Sequence, residues 1–430
     1  MYVTRVNLEN IRAIKRLELT FPSPAGWHVL IGDNGSGKST IVRCLGLALI
    51  GPEEAPGLRL NYKEWLQPHV DTGVIRLDIS PHDIDGITSI QANKTTSEVL
   101  GIIFRSDNAS FLFGAQADGL FGLRMKDQEA IASTLWSSKK GCFSAGFGPF
   151  RRFTGGSKSW EDFPSGLRRA SSHLSLFGED VALTEALKWL QQLHYEQLEE
   201  RPEAREMLDC LRYLINSSDL LPHGALFGEV SSAGVSFIDG NGIPVDVTQL
   251  SDGFRSILSL TFELIRQLVR CYGQNLVLEN LKNYQPIINL PGVVLIDEID
   301  AHLHPTWQTR IGTWFTKVFP RIQFIVTSHS PLVCRAAVNG SVWRLAAPGS
   351  NRESAEVTGI EKDRLVYGNI LDAYGTELFG TGIERGEPGV AFMEELAELN
   401  MKALRSGLNK EEEQRHAYLQ SMFPSGGEAQ

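Results

Sequence analysis

The sequence lacks the long apolar segments that a membrane-spanning helix requires. No run among its 430 residues approaches the roughly 18 to 20 consecutive apolar residues that cross a bilayer. Residues 1–6 alternate like a strand and do not show the basic and then apolar pattern of a signal peptide. We therefore expect a cytoplasmic protein that has no membrane partner.

Cysteine is scarce, and positive charge is not in excess. The five cysteines form no Cys-x-x-Cys pair, which argues against a zinc site, and their odd number suits a reducing compartment. The formal net charge is −10, so the surface as a whole does not favour nucleic acid. A DNA contact would therefore need a local basic patch.

The most informative stretch is a glycine-rich loop at residues 32–40. It reads Gly-Asp-Asn-Gly-Ser-Gly-Lys-Ser-Thr and fits the P-loop pattern G-x-x-x-x-G-K-[ST]. An apolar run at 27–31 predicts a buried strand before the loop, and residues 41–50 predict a buried helix after it. Strand, loop and helix are the context that the motif requires, so the sequence predicts a nucleoside triphosphate site.

The chemistry of this loop assigns a role to each residue type. Glycines let successive backbone N–H groups approach phosphate oxygens, and the helix N-terminus adds its positive dipole end. We expect Lys38 to reach the β- and γ-phosphates and the Ser39 hydroxyl to bind Mg²⁺, with ATP as the nucleotide. The predicted ATP-binding residues of the loop are Gly32, Asn34, Gly35, Ser36, Gly37, Lys38, Ser39 and Thr40.

Two further strands end in groups that suit hydrolysis. Residues 292–296 form an apolar run that predicts a buried parallel strand, and Asp297 and Glu298 follow it. Ligands bind at such strand tips, so Asp297 is predicted to hold Mg²⁺ and Glu298 to polarise the attacking water. His329 follows the apolar run 324–326 and is predicted to sense the γ-phosphate. The pair His302 and His304 is not assigned to a metal, because no third ligand is evident.

Two other stretches leave alternatives open. Residues 251–253, Ser-Asp-Gly, precede an apolar helical pattern and place a good N-cap where an anion would bind, although many helices begin this way. Residues 141–156 combine glycines and aromatics with Arg151 and Arg152. Their arginines are either solvated or locally paired, or they belong to a loop that senses nucleotide or contacts nucleic acid.

The order of these motifs resembles the ABC-type ATPase superfamily. The P-loop, the signature around Ser251, the Asp297-Glu298 pair and His329 follow one another as they do there. Residues 10–12, Asn-Ile-Arg, resemble the adenine-contacting motif of the branch that contains SMC heads, RecF-like proteins and OLD ATPases, which adds Arg12 to the predicted ATP site. Residues 146–152 and 369–375 are similar to ATPases of bacterial anti-phage systems, the Septu ATPases among them.

The resemblance implies the fold class and the domain organisation. It implies an α/β fold, a P-loop NTPase of the ABC ATPase head type, with an inserted β/α arm subdomain and a helical C-terminal tail. We assign the head to residues 1–75 and 245–345 and the arm to residues 76–244. Residues 346–430 are assigned to the tail, which covers its own core or docks a partner.

The resemblance also implies a mechanism with a composite site. ATP held by one subunit would be closed over by Ser251, Asp252 and Gly253 of another, so the chain is expected to form a homo-oligomer, at least a dimer of heads. Hydrolysis would use Glu298 as the base, with His329 and Lys38 at the phosphates. Asp252 and Phe254 depart from the usual Leu-Ser-Gly-Gly-Gln signature, so hydrolysis is expected to be slow.

We expect this ATPase to control an effector nuclease on a separate subunit in phage defence, because no nuclease motif is evident in the chain. One alternative is a RecF-like repair ATPase that contacts DNA directly. Another is a regulatory module that binds nucleotide with little turnover.

Overall fold

The structure is a computed structural model that describes residues 1–85, 98–105, 109–115, 141–151, 167–178, 184–281, 286–350, 352–369 and 387–422. The chain divides into two compact units, Met1–Tyr367 and Gly368–Gln430. No helix within the described ranges is long and apolar enough to cross a membrane.

A largely parallel sheet forms the centre of the first unit. Its strands are β3 (Gly26–Ile31), β7 (Ser144–Phe147), β11 (Gly292–Ile296), β12 (Ile322–Ser328), β13 (Val342–Arg344) and β14 (Ala355–Val357). Their order is β14-β13-β3-β12-β11-β7, and only β14 pairs antiparallel. Every residue of β3, β7, β11 and β12 is buried, which explains why these segments are continuous apolar runs rather than alternating patterns.

A second, antiparallel sheet packs beside the first. It contains β1 (Tyr2–Ile11), β2 (Ile14–Thr20), β4 (Thr72–Ser80), β5 (Glu98–Arg105) and β6 (Ala109–Ala115), in the order β2-β1-β4-β5-β6. Its buried face shares one hydrophobic core with helix α1 (Lys38–Ile50). The side-chain amide of Gln323 in β12 joins the sheets, since Nε2 donates to Val3 O and Oε1 accepts from Val3 N, both at 2.8 Å.

This sheet bears on the predicted domain boundary at residues 75 and 76. That boundary falls inside β4, and β5 and β6 continue the same sheet as β1 and β2. β7, also assigned to the arm by sequence, lies in the parallel sheet. The α/β P-loop fold is confirmed, and the division into head and arm stays a prediction.

Helices and a three-stranded meander also belong to the first unit. The helices are α2 (Arg168–Phe177), α3 (Thr184–Leu198), α4 (Pro202–Ser217), α5 (Asp252–Tyr272), α6 (Gln274–Leu281), α7 (Pro305–Val318) and α8 (Gly359–Tyr367). The three-stranded meander comprises β8 (Leu226–Ser231), β9 (Gly234–Ile238) and β10 (Pro244–Asp246). The segment Gly240-Asn241-Gly242 lies in the turn that joins β9 to β10.

The second unit contains a pair of helices, α9 (Glu387–Arg405) and α10 (Lys410–Met422). They are joined by a two-point ion pair in which Arg415 donates to Glu395 at 2.8 and 2.7 Å. The unit begins at Gly368, later than the predicted tail boundary at 346, because β14 and α8 belong to the first unit.

Candidate functional site

The predicted motifs follow three neighbouring strands of the parallel sheet. β12 lies between β3 and β11 and pairs parallel with both, so the C-terminal tips of all three lie at one edge. The P-loop follows β3, Asp297 and Glu298 follow β11, and His329 follows β12. The structure therefore brings together groups that are far apart in sequence, at the edge where α/β sheets bind ligands.

The P-loop has the backbone that its glycines predict. Gly35 and Gly37 have φ of 81° and 90°, in the left-handed region, and α1 begins directly after Gly37. A Cβ on Gly37 would lie 3.0 Å from the Ile14 side chain, so the β1–β2 turn lies against the loop. The Ser36 hydroxyl is buried and has no hydrogen-bond partner among the described residues. Position 37 therefore requires glycine, because its φ lies in the left-handed region and a Cβ there would crowd Ile14.

Lys38 is held on the loop that it follows. Its Nζ donates to Gly32 O at 2.7 Å and to Asp33 O at 2.9 Å, and the residue is buried. Burial lowers the pKa of Lys38, whereas the negative charges of Glu298, Asp297 and Asp300 act to raise it. The ammonium group is thus within electrostatic range of the acidic end of β11.

The two carboxylates after β11 are organised by a threonine of β12. Thr327 Oγ1 donates to Asp297 Oδ1 at 2.6 Å and accepts from the backbone N–H of Glu298 at 2.7 Å. Asp297 is buried, and Glu298 is partly exposed with a φ of 47°, in the left-handed region. A non-glycine residue there costs about 1 kcal/mol or more, so the surrounding bonds hold Glu298 in a strained conformation.

Asp300 and His329 lie where the loops after β11 and β12 meet. The His329 backbone N–H donates to Asp300 Oδ2 at 3.4 Å, and the His329 side chain is exposed. Asp300 Oδ1 is buried, and no hydrogen bond reaches it from the part of the chain that the structure describes. A carboxylate oxygen is a hard donor, which fits the oxygen ligands that Mg²⁺ prefers, and Asp300 is three residues after Asp297.

No group of three or more His, Cys, Asp or Glu residues in the described part of the chain is arranged to hold a metal ion on its own. His304 instead caps α7, its Nδ1 accepting from Thr306 N at 3.3 Å. A Mg²⁺ that arrives with ATP needs few protein ligands, because phosphates and water supply the rest.

Arg151 lies inside the protein and not on an exposed loop. Only 4% of the residue is exposed, and its guanidinium donates to backbone carbonyls of the segment after β11. Arg151 is thus paired within the protein, which is one of the two alternatives that the sequence leaves open, and its N–H groups are not free to contact DNA. A role in sensing nucleotide stays a prediction. Arg152 lies outside the described residues.

Arg12 lies on the turn between β1 and β2, close to α1. Its Nε donates to Glu64 O at 3.3 Å, and the guanidinium lies 4.9 Å from the ring centroid of Trp65. Burial and the nearby Arg43 of α1 lower the pKa of Arg12. Contact with adenine stays a prediction.

The predicted signature residues are at the start of α5. Ser251 and Asp252 are exposed, and the Ser251 hydroxyl makes no cap hydrogen bond. A Cβ on Gly253 would lie 2.8 Å from His302 O, so α5 abuts the loop after β11. Of the bonds among described residues, none joins 251–253 to 32–40. Ser251 is therefore available to another molecule.

Sequence reasoning missed Thr327, Asp300 and the inward direction of Arg151. Thr327 follows the apolar run 324–326 near the end of β12, and Asp300 follows Asp297 and Glu298 after a single residue. Both positions carry a signal, because a polar side chain at the tip of a buried strand faces the ligand edge.

The sequence is similar to Septu and retron proteins of bacteria. It is 25% identical over 346 residues to the Septu protein PtuA of Bacillus mycoides (strain KBAB4), covering 79% of this chain and 40% of that protein. It is 42% identical over 108 residues to the Retron Ec83 probable ATPase of Escherichia coli, covering 25% of this chain and 18% of that protein. The chain thus spans less than half the length of these relatives. The matches confirm the resemblance to Septu ATPases.

Solved structures also match. The SMC head bound to the C-winged helix domain of ScpA matches with a TM-score of 0.48 at 14% identity, over 84% of this chain and 99% of that chain. The recombination mediator protein RecF of the RecFOR pathway matches with a TM-score of 0.41 at 12% identity, over 83% of this chain and 98% of that chain.

A family model covers the part of the chain that carries most of the site. The model described as "AAA domain, putative AbiEii toxin, Type IV TA system" matches residues 28–335, which include the P-loop, Asp297, Glu298 and His329. On this match, together with the P-loop fold, the chain belongs to this family of AAA-domain ATPases.

Proposed function

We propose that the chain binds and hydrolyses ATP, and that ATP drives its association into an oligomer that controls an effector nuclease in bacterial anti-phage defence. One observation carries this proposal. The P-loop, the Asp297-Glu298 pair and His329 follow three adjacent strands, so nucleotide-binding and hydrolytic groups lie at one edge of the sheet.

The proposed roles follow from the geometry and the chemistry of these groups. The P-loop amides and Lys38 take the β- and γ-phosphates, and Ser39 and Asp297 hold Mg²⁺, which when bound neutralises phosphate charge. Glu298 accepts the proton of the attacking water, and the exposed His329 imidazole donates to the γ-phosphate. Thr327 keeps Asp297 in place.

Association through ATP is supported by the exposure of the signature residues. Ser251 is exposed at the N-terminus of a helix of 21 residues, where backbone N–H groups and the helix dipole favour an anion. Because this end is not bonded to the P-loop of its own chain, we propose that it closes over ATP held by a second copy. Binding energy at such an interface shifts an equilibrium between separate and associated chains.

The defence role and the nuclease partner rest on relatives. The relatives include Septu and retron proteins, two of them named as probable ATPases, and the family description refers to a putative toxin. The second unit is the proposed docking region for the partner. Its helices carry exposed apolar side chains, namely Met401, Leu404, Tyr418 and Met422.

The ATPase proposal is tested with Glu298→Gln. We expect this variant to bind ATP, to lose hydrolysis by about 100-fold or more, and to accumulate as an ATP-bound oligomer. Phosphate release and light scattering during size-exclusion chromatography measure the two effects. Glu279→Gln is the matched control, because Glu279 is exposed on α6. Unchanged phosphate release in Glu298→Gln would contradict the assignment.

The defence proposal needs its own test. Cells carrying the gene with its neighbouring genes are expected to resist phage, and resistance is expected to be lost in Lys38→Ala and kept in Glu279→Gln. Plating efficiency measures resistance, and plasmid cleavage by the co-purified complex measures nuclease activity. Cleavage by the purified chain alone, or DNA binding without a partner, would favour the repair alternative instead.

A further inference from the structure

We propose that Arg151 is a positioning residue for hydrolysis, which fixes the backbone of Glu298 and so aims its carboxylate at the attacking water. This inference rests on the proposed ATPase function. The guanidinium is bonded to a short segment of backbone that begins at the end of β11. Nη1 donates to Asp297 O at 2.8 Å, and Nη2 donates to Glu298 O at 2.9 Å and to Ile299 O at 3.4 Å.

The remaining donors of the guanidinium are also used. Nη1 donates to Gly148 O at 2.8 Å, and Nε donates to the Ser256 hydroxyl at 3.1 Å. No ion pair joins Arg151 to an acid among the described residues, so a buried cation is held mainly by carbonyl dipoles. Burial lowers the pKa of Arg151 to about 10, and the charges of Asp297, Asp300 and Glu298 partly oppose that shift. Burying the charge of Arg151 costs desolvation free energy that an apolar side chain at this position would not cost. The presence of an arginine here therefore indicates a role beyond filling space.

The backbone that Arg151 holds is strained. Three successive carbonyls, from Asp297 to Ile299, bond to one guanidinium, and this requires the chain to turn sharply at Glu298. The turn is made by the left-handed φ of 47° at Glu298. Charge-assisted hydrogen bonds offset the cost of this conformation. Without them, a glutamate at this position is expected to relax toward an ordinary φ and to move its side chain.

The Glu298 peptide is held from two sides by different elements. The Thr327 hydroxyl of β12 accepts from its N–H, and Arg151 donates to its carbonyl. Arg151 also bonds to Ser256, which lies on α5, the helix that starts at the proposed contact with a second copy. The Arg151 side chain thus links the proposed base Glu298, Gly148 after the edge strand β7, and helix α5.

The test compares two conservative variants. Arg151→Lys keeps the positive charge but loses the planar set of donors that bonds to adjacent carbonyls. Arg266→Lys is the control, since Arg266 is mostly buried on α5 and donates to Glu263 at 2.8 and 2.7 Å. These bonds do not involve the residues that follow β11. Each variant is assayed for ATP affinity, kcat, KM and hydrogen exchange of the peptide that contains residues 297–301.

We expect Arg151→Lys to lower kcat by about tenfold or more while ATP affinity and KM change by less than about threefold. Exchange of the 297–301 amides is expected to speed up in Arg151→Lys and not in Arg266→Lys. Parallel losses of stability, ATP affinity and kcat in both variants would indicate a merely structural role and overturn the inference. So would faster exchange without a fall in kcat.

The outcomes also separate this inference from the proposed function. If the wild-type chain binds but does not hydrolyse ATP, the ATPase proposal fails whatever Arg151 does, and unchanged exchange in Arg151→Lys would still refute the positioning of Glu298. If the wild type hydrolyses ATP and both variants match it, the inference about Arg151 alone is overturned.

Discussion

Thr327 Oγ1 donates a 2.6 Å hydrogen bond to Asp297 Oδ1, although the two residues are 30 positions apart in the sequence. They meet because β12 and β11 pair in parallel register, which brings the ends of both strands together. The same hydroxyl accepts from the backbone N–H of Glu298. One side chain therefore orients the proposed metal ligand and the backbone of the proposed base.

The Thr327→Val change removes this hydroxyl and keeps the shape of the side chain. We expect stability to fall by about 1–3 kcal/mol, because the partly buried N–H of Glu298 is left without a partner. We expect kcat to fall by about tenfold or more and the Mg²⁺ concentration needed for half-maximal rate to rise. Urea unfolding and Mg²⁺ titrations of phosphate release measure these effects. Thr313→Val on the exposed face of α7 serves as the control and should change neither.

Mixing two inactive variants tests whether the site is shared between chains. Lys38→Ala and Ser251→Arg should each abolish hydrolysis alone. In an equal mixture about half of the dimers are mixed, and each mixed dimer keeps one intact site, so about a quarter of the wild-type rate should return. Lys38→Ala mixed with Glu298→Gln should restore nothing, since both residues act from the same chain. No recovery in the first mixture would place the site within one chain.

A pair of glycines separates backbone strain from damage to the nucleotide site. Gly37 and Gly242 have φ of 90° and 81°, but a Cβ meets Ile14 at 3.0 Å in the first case and nothing within 4 Å in the second. Both changes to alanine should cost about 1–2 kcal/mol of stability, because alanine is strained at these angles. ATP affinity, measured by calorimetry, should fall by about tenfold or more only in Gly37→Ala. Equal affinities in the two variants would contradict the assignment of the loop.

Two buried histidines should make the fold sensitive to mild acid. Burial lowers the pKa of His28 and of His173 to about 4, whereas the unfolded chain titrates near 6.5. Between these values the unfolded state binds protons that the folded state does not, so stability is complete above pH 6.5 and falls toward pH 4. Each histidine should remove about 2 kcal/mol by pH 5.

Urea unfolding at pH 7.5 and pH 5 measures this loss. His28→Asn should reduce the difference between the two pH values, since a neutral amide has no proton to gain. The exposed His69→Asn should leave the difference unchanged. A His28→Asn variant with the wild-type pH dependence would show that the imidazole of His28 is not buried neutral.

Local patterns predicted the elements around the site well. The apolar runs before the P-loop, before Asp297 and before His329 are buried strands, because a strand covered on both faces needs no polar alternation. The start of the helix after the P-loop was likewise predictable, since it depends only on neighbouring residues.

Features that depend on distant partners could not be predicted. Arg151 bonds to carbonyls 146 to 148 residues away, so its sequence neighbours, rich in glycine and aromatics, could not decide between a locally paired arginine and one that contacts a ligand. β5 and β6 extend the sheet of β1 because of a pairing with β4 that no local signal specifies. In both cases tertiary partners decide the outcome, and a single sequence does not identify them.

The side-chain amide of Gln323 connects two sheets that share no strand, because it bonds to the backbone of Val3 in the other sheet. Separating the sheets would leave the N–H and the carbonyl of Val3 buried without partners, at a cost of about 1–3 kcal/mol for each group. The strand that carries Gln323 is β12, which also carries Thr327 toward the carboxylates. A movement at the nucleotide edge that parted the two sheets here would have to break both bonds, and this cost favours movement of the antiparallel sheet together with β12.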